Sequence, residues 1–144
     1  MDTKKLNISV IIASGLESGG GYQYEFMVLE LLKNYHDNRH ITLSYYAPTI
    51  QIVNDYHDLN LNIKILKENI FQKLHRLCLS NIFFYKAFNK IGLGKSSIEN
   101  QLLIDKTDLI YFLSPNLRSQ GISNIPYIFT LWDLAHLEMP EFPE

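Results

Sequence analysis

Residues 6–35 read LNISVIIASGLESGGGYQYEFMVLELLKNY, which is an apolar run, a glycine-rich loop and an amphipathic segment in succession. The apolar run, residues 6–13, alternates with polar residues at its start and is continuously apolar at its end, as is typical of a strand covered on both faces. Residues 22–35 repeat apolar side chains at helical spacing. This order of strand, loop and helix predicts the first βα unit of a parallel α/β sheet.

The alternation of strands and helices continues along the chain. Further strands are predicted at residues 41–46, 62–66, 108–113 and 126–132, and helices at residues 49–56 and 70–91. Another helix, capped by Ser96 or Ser97, is predicted to run through residue 103. Right-handed crossovers would put helices on both faces of the sheet. The sequence therefore predicts an α/β fold, a Rossmann-like parallel sheet, and 144 residues are one domain's worth of chain.

Charge and cysteine content argue against several classes of function. The formal net charge of −2 disfavours a general nucleic-acid binder, which would carry a clear basic excess. The single cysteine, Cys78, forms no disulfide within the chain and supplies no cluster of metal ligands. Charge and cysteine content therefore disfavour a nucleic-acid partner and a metal site built on cysteine, and they suit a reducing, cytoplasmic location. We expect no cofactor.

The glycine-rich loop is the first candidate ligand site. Gly19, Gly20 and Gly21 lie between the first strand and the first helix, where an open α/β sheet presents its ligand crevice. Free N–H groups of Gly20, Gly21 and Tyr22 at the helix start would favour a phosphate or another anion. The alternative is a flexible connection that needs glycine only for its turn.

The loop does not match the dinucleotide-binding fingerprint. The pattern G-x-G-x-x-G cannot be fitted anywhere between Gly15 and Gly21. The second strand ends in Tyr45, Tyr46 and Ala47, where an acidic residue would be expected to bind a ribose. Both features disfavour an NAD-dependent oxidoreductase.

Residues 126–136, PYIFTLWDLAH, are the second candidate site. Asp133 and His136 follow the fifth strand, whose carboxyl end faces the same crevice as the glycine loop. A carboxylate and an imidazole there could bind sugar hydroxyls or move a proton. Alternatively, Asp133 caps a following turn and His136 only packs nearby.

Three segments together resemble a known family. They are the loop from Gly19 to Tyr24, residues 108–112 with the following Ser114 and Pro115, and residues 126–136 running on to the sequence PEFPE at 140–144. They are similar to the N-terminal, acceptor-side domain of GT-B glycosyltransferases in the large retaining family that includes sucrose- and mannosyltransferases. The similarity covers the chain from end to end, and its specific matches are in the loop and the last ~40 residues, which agrees with the α/β prediction.

The resemblance implies a reaction and its partners. The donor would be a nucleotide-sugar, the acceptor a saccharide or lipid-linked molecule in surface polysaccharide or lipopolysaccharide assembly, and the transfer would retain the anomeric configuration without a metal. Residues 1–144 would form a partial N-terminal domain. The C-terminal domain that binds the donor would lie outside it, so the isolated chain is expected to be inactive.

The resemblance also assigns site residues. Asp133 and His136 would be the catalytic polar groups near the transferred sugar. Many family members carry His immediately before the Asp, whereas this chain has Trp132, so His136 would take over or the site would differ. The ligand-binding candidates are Gly19, Gly20, Gly21, Tyr22, Gln23, Ser114, Asn116 and Trp132.

The stretch from Lys67 to Lys95 has an unusual charge. It holds six basic residues, one acid and many aromatic residues, a net charge of +5 that leaves −7 for the rest of the chain. Such a stretch could contact an anionic membrane, which predicts a peripheral location at the inner face of the membrane. The alternative is a helix that covers the sheet while its cations are solvated.

A non-catalytic Rossmann-like domain that binds a small phosphorylated ligand in the same crevice is the second functional hypothesis. The encoding gene distinguishes the two. A reading frame that continues into a second α/β domain with a Glu-x7-Glu pattern would support the enzyme, and a stop after Glu144 would support the binding domain.

Overall fold

The computed structural model describes residues 5–35 and 40–131. Within these residues, five strands form one sheet in the order β3-β2-β1-β4-β5, and every neighbouring pair is parallel. The fold is therefore a Rossmann-like α/β sheet, as predicted. The strands are β1 (Leu6–Ile11), β2 (Ile41–Ala47), β3 (Ile63–Ile65), β4 (Leu109–Phe112) and β5 (Tyr127–Phe129).

Helices cover both faces of this sheet, which confirms the second part of the prediction. The helices are α1 (Gly20–Tyr35), α2 (Ile50–Asp55), α3 (Ile70–Leu79), α4 (Ile82–Lys90) and α5 (Ser97–Ile104). One core packs α1 and α2 against the sheet, and a second core packs α5 against the opposite face. Residues 10–12, at the end of β1 and just after it, alternate between the cores, because Val10 and Ile12 belong to the first and Ile11 to the second.

The strand order creates a switch point beside β1. The chain passes from β1 to β2 on one side and later crosses to β4 on the other side. Ligands of open α/β sheets bind outside the carboxyl ends of the strands at such a point. Residues 12–14 after β1 and residues 113–116 after β4 border it.

The predicted helix over residues 70–91 is wrong in one respect, because the chain forms two helices there. Helix α3 ends at Leu79, and the Ser80 hydroxyl donates to the Leu77 carbonyl at 2.6 Å. Asn81 then caps α4 by accepting a hydrogen bond from the Phe83 N–H at 3.0 Å. Ser and Asn side chains compete with helical backbone bonds in this way, which explains the break.

Ser96, rather than Ser97, caps α5. Its hydroxyl accepts from the Glu99 N–H at 3.1 Å. The Glu99 carboxylate instead accepts from the backbone N–H groups of Ser123 and Asn124, and so ties α5 to the segment before β5. In the part of the chain that the structure describes, no helix has the length and apolarity to cross a membrane.

Candidate functional site

The candidate site lies where β1 and β4 end. Ser14 follows β1 and Ser114 follows β4; both are buried, and their hydroxyl oxygens are 3.4 Å apart. Residues 100 positions apart in sequence thus meet at the switch point.

Glu25 closes the floor of this crevice. It projects from the second turn of α1 and is fully buried. Its carboxylate accepts the backbone N–H groups of Ala13 at 3.1 Å and Ser14 at 3.0 Å, and the Ser114 hydroxyl also donates to it. Several donors converge on one acceptor-only group, which is how a buried carboxylate is stabilised.

Tyr56 completes the floor from the direction of α2. Its hydroxyl lies 3.0 Å from the Ser14 carbonyl and 3.1 Å from the Glu25 carboxylate. Burial, followed by the negative charge of Glu25, raises the pKa of the Tyr56 hydroxyl well above its ordinary value. The phenol therefore remains a donor at every physiological pH.

The start of the glycine loop is held against α2. The Asp55 carboxylate accepts the Leu16 N–H at 3.1 Å, and a Cβ added to Gly15 would lie 2.8 Å from the same carboxylate oxygen. A larger residue at Gly15 would therefore force the Asp55 carboxylate to shift. A cleft of about 380 Å³ separates the loop from α2, and it is lined by Gly15, Leu16, Glu17, Thr49, Gln51, Ile52 and Asp55.

The end of the loop starts α1. Gly19 has a φ of 55°, a conformation that favours glycine, and α1 begins at Gly20. The Gln23 N–H bonds to the Gly19 carbonyl at 3.1 Å. The N–H groups of Gly20, Gly21 and Tyr22 precede that bond and are the donors that a helix start leaves without an intrahelical partner.

Tyr22 and Gln23 have different surroundings. The Tyr22 ring packs against Phe26 and Tyr56 at centroid distances of 5.8 and 4.9 Å, and its hydroxyl donates to the Asp55 carbonyl at 3.0 Å. Gln23 is exposed beside it. The ring of Tyr22 therefore joins α1 to α2, while its backbone lies at the helix start.

A cluster of hydroxyl groups lies beyond the end of β5. The Thr130 hydroxyl is 3.1 Å from the Tyr24 hydroxyl and 3.3 Å from the Tyr111 hydroxyl. The Thr130 N–H also donates to the Phe112 carbonyl at 3.2 Å. Burial is the main cause that raises the pKa of the Tyr111 hydroxyl. This cluster joins the first turn of α1 to the carboxyl end of the sheet.

The structure brings the predicted glycine loop and Ser114 to one edge of the sheet. Asn116 follows on the same edge, where its side chain caps a 3-10 turn by accepting the Arg118 N–H at 2.9 Å. Trp132, Asp133 and His136 lie outside the described residues, so their roles stay predictions. In residues 5–35 and 40–131, no three His, Cys, Asp or Glu side chains are grouped as metal ligands.

Sequence reasoning missed Glu25, Asp55 and Tyr56. A signal for Glu25 was present: it comes three residues after Tyr22 and one before Phe26, on the apolar stripe of the helix. An acid on the buried face of an amphipathic helix requires a polar partner inside the protein.

Comparisons with known proteins identify a structural neighbour. No family model matches the chain, and no curated protein does. Among solved structures, the chain is similar to the crystal structure of a glycosyltransferase from Rickettsia africae ESF-5, with 12% sequence identity and a TM-score of 0.45. The match covers 94% of this chain and 33% of that one, so the chain spans about a third of that structure's length.

Proposed function

We propose that this chain is the acceptor-side domain of a glycosyltransferase that moves a sugar from a nucleotide-sugar to a saccharide or lipid-linked acceptor. The observation that carries the proposal is the junction of Glu25, Ser14 and Ser114, which holds the glycine loop beside β4 at the switch point of the sheet. The resemblance of residues 19–24 and 126–136 to retaining GT-B enzymes supports the same function.

The chemistry of the crevice suits this reaction. Backbone N–H groups at the start of α1 favour a phosphate, which is the leaving group of a nucleotide-sugar. The hydroxyl groups of Tyr24, Tyr111 and Thr130 can donate to and accept from sugar hydroxyls. Asp133 and His136 follow Thr130 by three and six positions, and we expect them at the same edge of the sheet.

The finer assignments belong to this proposal. We expect a GT-B enzyme that retains the anomeric configuration, acts in surface polysaccharide or lipopolysaccharide assembly, and works in the cytoplasm. The donor would bind chiefly to a second domain outside residues 1–144. The exposed apolar residues of the edge strand β5, Tyr127, Ile128 and Phe129, are consistent with further chain covering that edge.

The test compares the product of the full-length gene with the 144-residue chain. Both are incubated with a panel of UDP- and GDP-sugars, and donor hydrolysis and transfer are measured. We expect activity in the full-length protein alone. Asp133→Asn and His136→Ala should each lower its kcat by about 100-fold or more, the usual contribution of an acid–base group.

His57→Ala is the matched control. His57 is an exposed histidine near α2, and its loss should leave the rate unchanged. A full-length protein that turns over none of the donors would contradict the glycosyltransferase proposal.

A non-catalytic domain that binds a small phosphorylated ligand is the second candidate. The N–H groups at the start of α1 favour it, because they can bind an anion without a second domain. Titration of the 144-residue chain with inorganic phosphate and with UDP and GDP tests it. Gly20→Pro removes one N–H at a helix position that tolerates proline, and Gly20→Ala retains that N–H as the control. Equal binding of these anions by both variants would show that the Gly20 N–H at the start of α1 does not contribute to the site.

A further inference from the structure

Helix α3 exposes its apolar side chains and buries a charged one. Arg76 and Leu79 are its buried residues, whereas Ile70 is 81% exposed and Phe71 is 82% exposed. Leu74 and Leu77 are exposed as well. At 100° per residue, these four apolar side chains fall within an arc of about 120°. A helix that covers a sheet normally directs such an arc inward, as α5 does with Ile98 and Leu102.

Arg76 is buried together with Glu68, the acidic residue between residues 67 and 95. Its Nε lies 3.0 Å from Glu68 Oε1, and the two side chains are 8% and 2% exposed. Its Nη1 donates to the Leu117 carbonyl at 2.8 Å, and its methylene groups pack on Gly121, where an added Cβ would collide with Arg76 Cγ. Because the pair is internal, Lys67, Lys73, Lys86, Lys90 and Lys95 remain as the solvated charges between residues 67 and 95, and all five are exposed.

Helix α4 also exposes apolar side chains. Ile82, Phe83 and Phe84 are exposed in its first turn, and Phe83 is 80% exposed. The two helices form a hairpin, because the His75 ring meets the Phe88 ring edge-on at 5.0 Å and His75 Nε2 lies 3.0 Å from the Leu93 carbonyl. Helix α4 packs mainly on α3, which leaves its other sides open to solvent.

We propose that residues 67–95, the basic hairpin, dock on an anionic lipid bilayer. Exposed apolar side chains concentrated on two helices mark an interaction surface, and phenylalanines among lysines are typical of helices that lie in a membrane interface. Five exposed lysines without a solvated acid select an anionic surface over a neutral one. A second copy of the hairpin would bring five further lysines against these, so charge disfavours self-association through this face.

This inference goes beyond the proposed function and stands on different residues. No residue of the basic hairpin belongs to the crevice between β1 and β4. Vesicle binding and sugar transfer can therefore succeed or fail separately.

Vesicle co-sedimentation of the 144-residue chain tests the proposal. Vesicles of phosphatidylcholine alone are compared with vesicles containing one third phosphatidylglycerol, at low and at high salt. We expect binding to the anionic vesicles at low salt, weak binding to the neutral ones, and loss of binding at high salt because screening shortens the reach of the lysines.

Two double variants separate the apolar from the electrostatic contribution. Lys86→Gln with Lys90→Gln should weaken partition about 5-fold per lysine. Phe71→Ser with Phe83→Ser should weaken it about 10-fold or more, since both rings would leave the interface. These side chains are exposed, so the far-ultraviolet circular dichroism of the variants should equal that of the parent chain.

The matched control changes an exposed lysine and an exposed apolar residue elsewhere. Lys5→Gln with Ile104→Ser removes an exposed lysine and an apolar side chain that is 79% exposed on α5, and this variant should bind like the parent chain. Absence of binding to anionic vesicles at low salt would overturn the proposal. So would equal binding to neutral vesicles, equal losses in the control, or a parent dimer in sedimentation velocity that the Phe71 and Phe83 changes dissociate.

Discussion

Glu25 joins two distant parts of the chain through one side chain. It accepts backbone N–H groups at the end of β1 and the hydroxyl of Ser114 after β4, with Tyr56 beside it. The cost of burying a carboxylate is offset only while these donors remain in place. Glu25 therefore holds the segment after β1 against the segment after β4.

Removing this carboxylate should destabilise the protein. Glu25→Ala leaves two buried N–H groups without an acceptor, and we expect the free energy of unfolding to fall by about 3 kcal/mol. The free energy of unfolding of Glu25→Gln should lie between those of the parent and the alanine variant, because an amide accepts at one end and donates at the other. Urea unfolding measures both changes. Glu30→Ala, an exposed acid on the same helix, is the control, and an equal effect there would contradict the role of Glu25.

At the scale of elements, short polar contacts decide where helices begin and how the sheet edge is held. Ser96 starts α5 through its bond to the Glu99 N–H, and Asn81 starts α4. The edge strand β3 is tied to the end of α5, because Lys64 donates to the Asp105 carboxylate at 2.8 Å and Tyr46 on β2 donates to it as well. These contacts join neighbouring layers of the fold.

The cap of α5 can be tested with adjacent serines. Ser96→Ala should lower the free energy of unfolding by about 1–2 kcal/mol, because a buried N-cap hydroxyl is lost. Ser97→Ala, one position on, should have an effect below about 0.5 kcal/mol. Thermal unfolding of the two variants makes the comparison, and a larger loss for Ser97→Ala would reverse the cap assignment.

The contact at the edge strand predicts a pH dependence. Hydrogen bonds from Lys64 and then from Tyr46 lower the pKa of Asp105 below its ordinary value of 3.8. A carboxyl group whose pKa is lowered in the folded state contributes stability that is present above pH 3.8. This stability is lost as the pH falls toward the pKa of the folded state. Asp105→Asn should therefore reduce the acid-dependent loss of stability below 3.8, as followed by urea unfolding at several pH values. An unchanged loss of stability in Asp105→Asn would contradict the contribution of this contact.

On the scale of the whole molecule, the two cores share the central strand. The side chains of β1 and the residue after it alternate between the core under α1 and α2 and the core under α5. Charge is also unevenly distributed, with +5 on residues 67–95 and −7 on the rest. The two cores are thus joined by one strand, and the net charge of −2 conceals the excess of basic residues between residues 67 and 95.

Cooperativity across the sheet can be measured with neighbouring isoleucines. Ile11→Ala opens a cavity in one core and Ile12→Ala in the other, and each should cost about 3 kcal/mol. Because the strand is common to both cores, each variant should still unfold in a single transition with coincident near- and far-ultraviolet circular dichroism. Two separate transitions in either variant would show that the cores are independent.

The fold was predictable because its signals are local. A strand covered on both faces needs an apolar run, and a βα turn at the switch point needs a loop that lets the backbone approach a ligand closely. Residues 6–35 contain both patterns, so they predict both features. The break near Asn81 was not predicted. Polar side chains within a helical pattern end the helix only when their hydrogen bonds to nearby backbone groups replace the helical backbone hydrogen bonds. The floor of the candidate site was missed for a different reason, since Glu25 meets Ser114 across 89 positions.

The sequence by itself determined the alternation of strands and helices, the position of the glycine loop and the excess of lysine between residues 67 and 95, because each depends on composition and spacing along the chain. Only the tertiary structure decided that Glu25 closes the crevice, that Ser96 is the cap and that Arg76 turns inward while Phe71 and Phe83 face solvent. The physical reason is that burying a charge, or exposing an apolar ring, depends on partners that the fold brings together from distant positions.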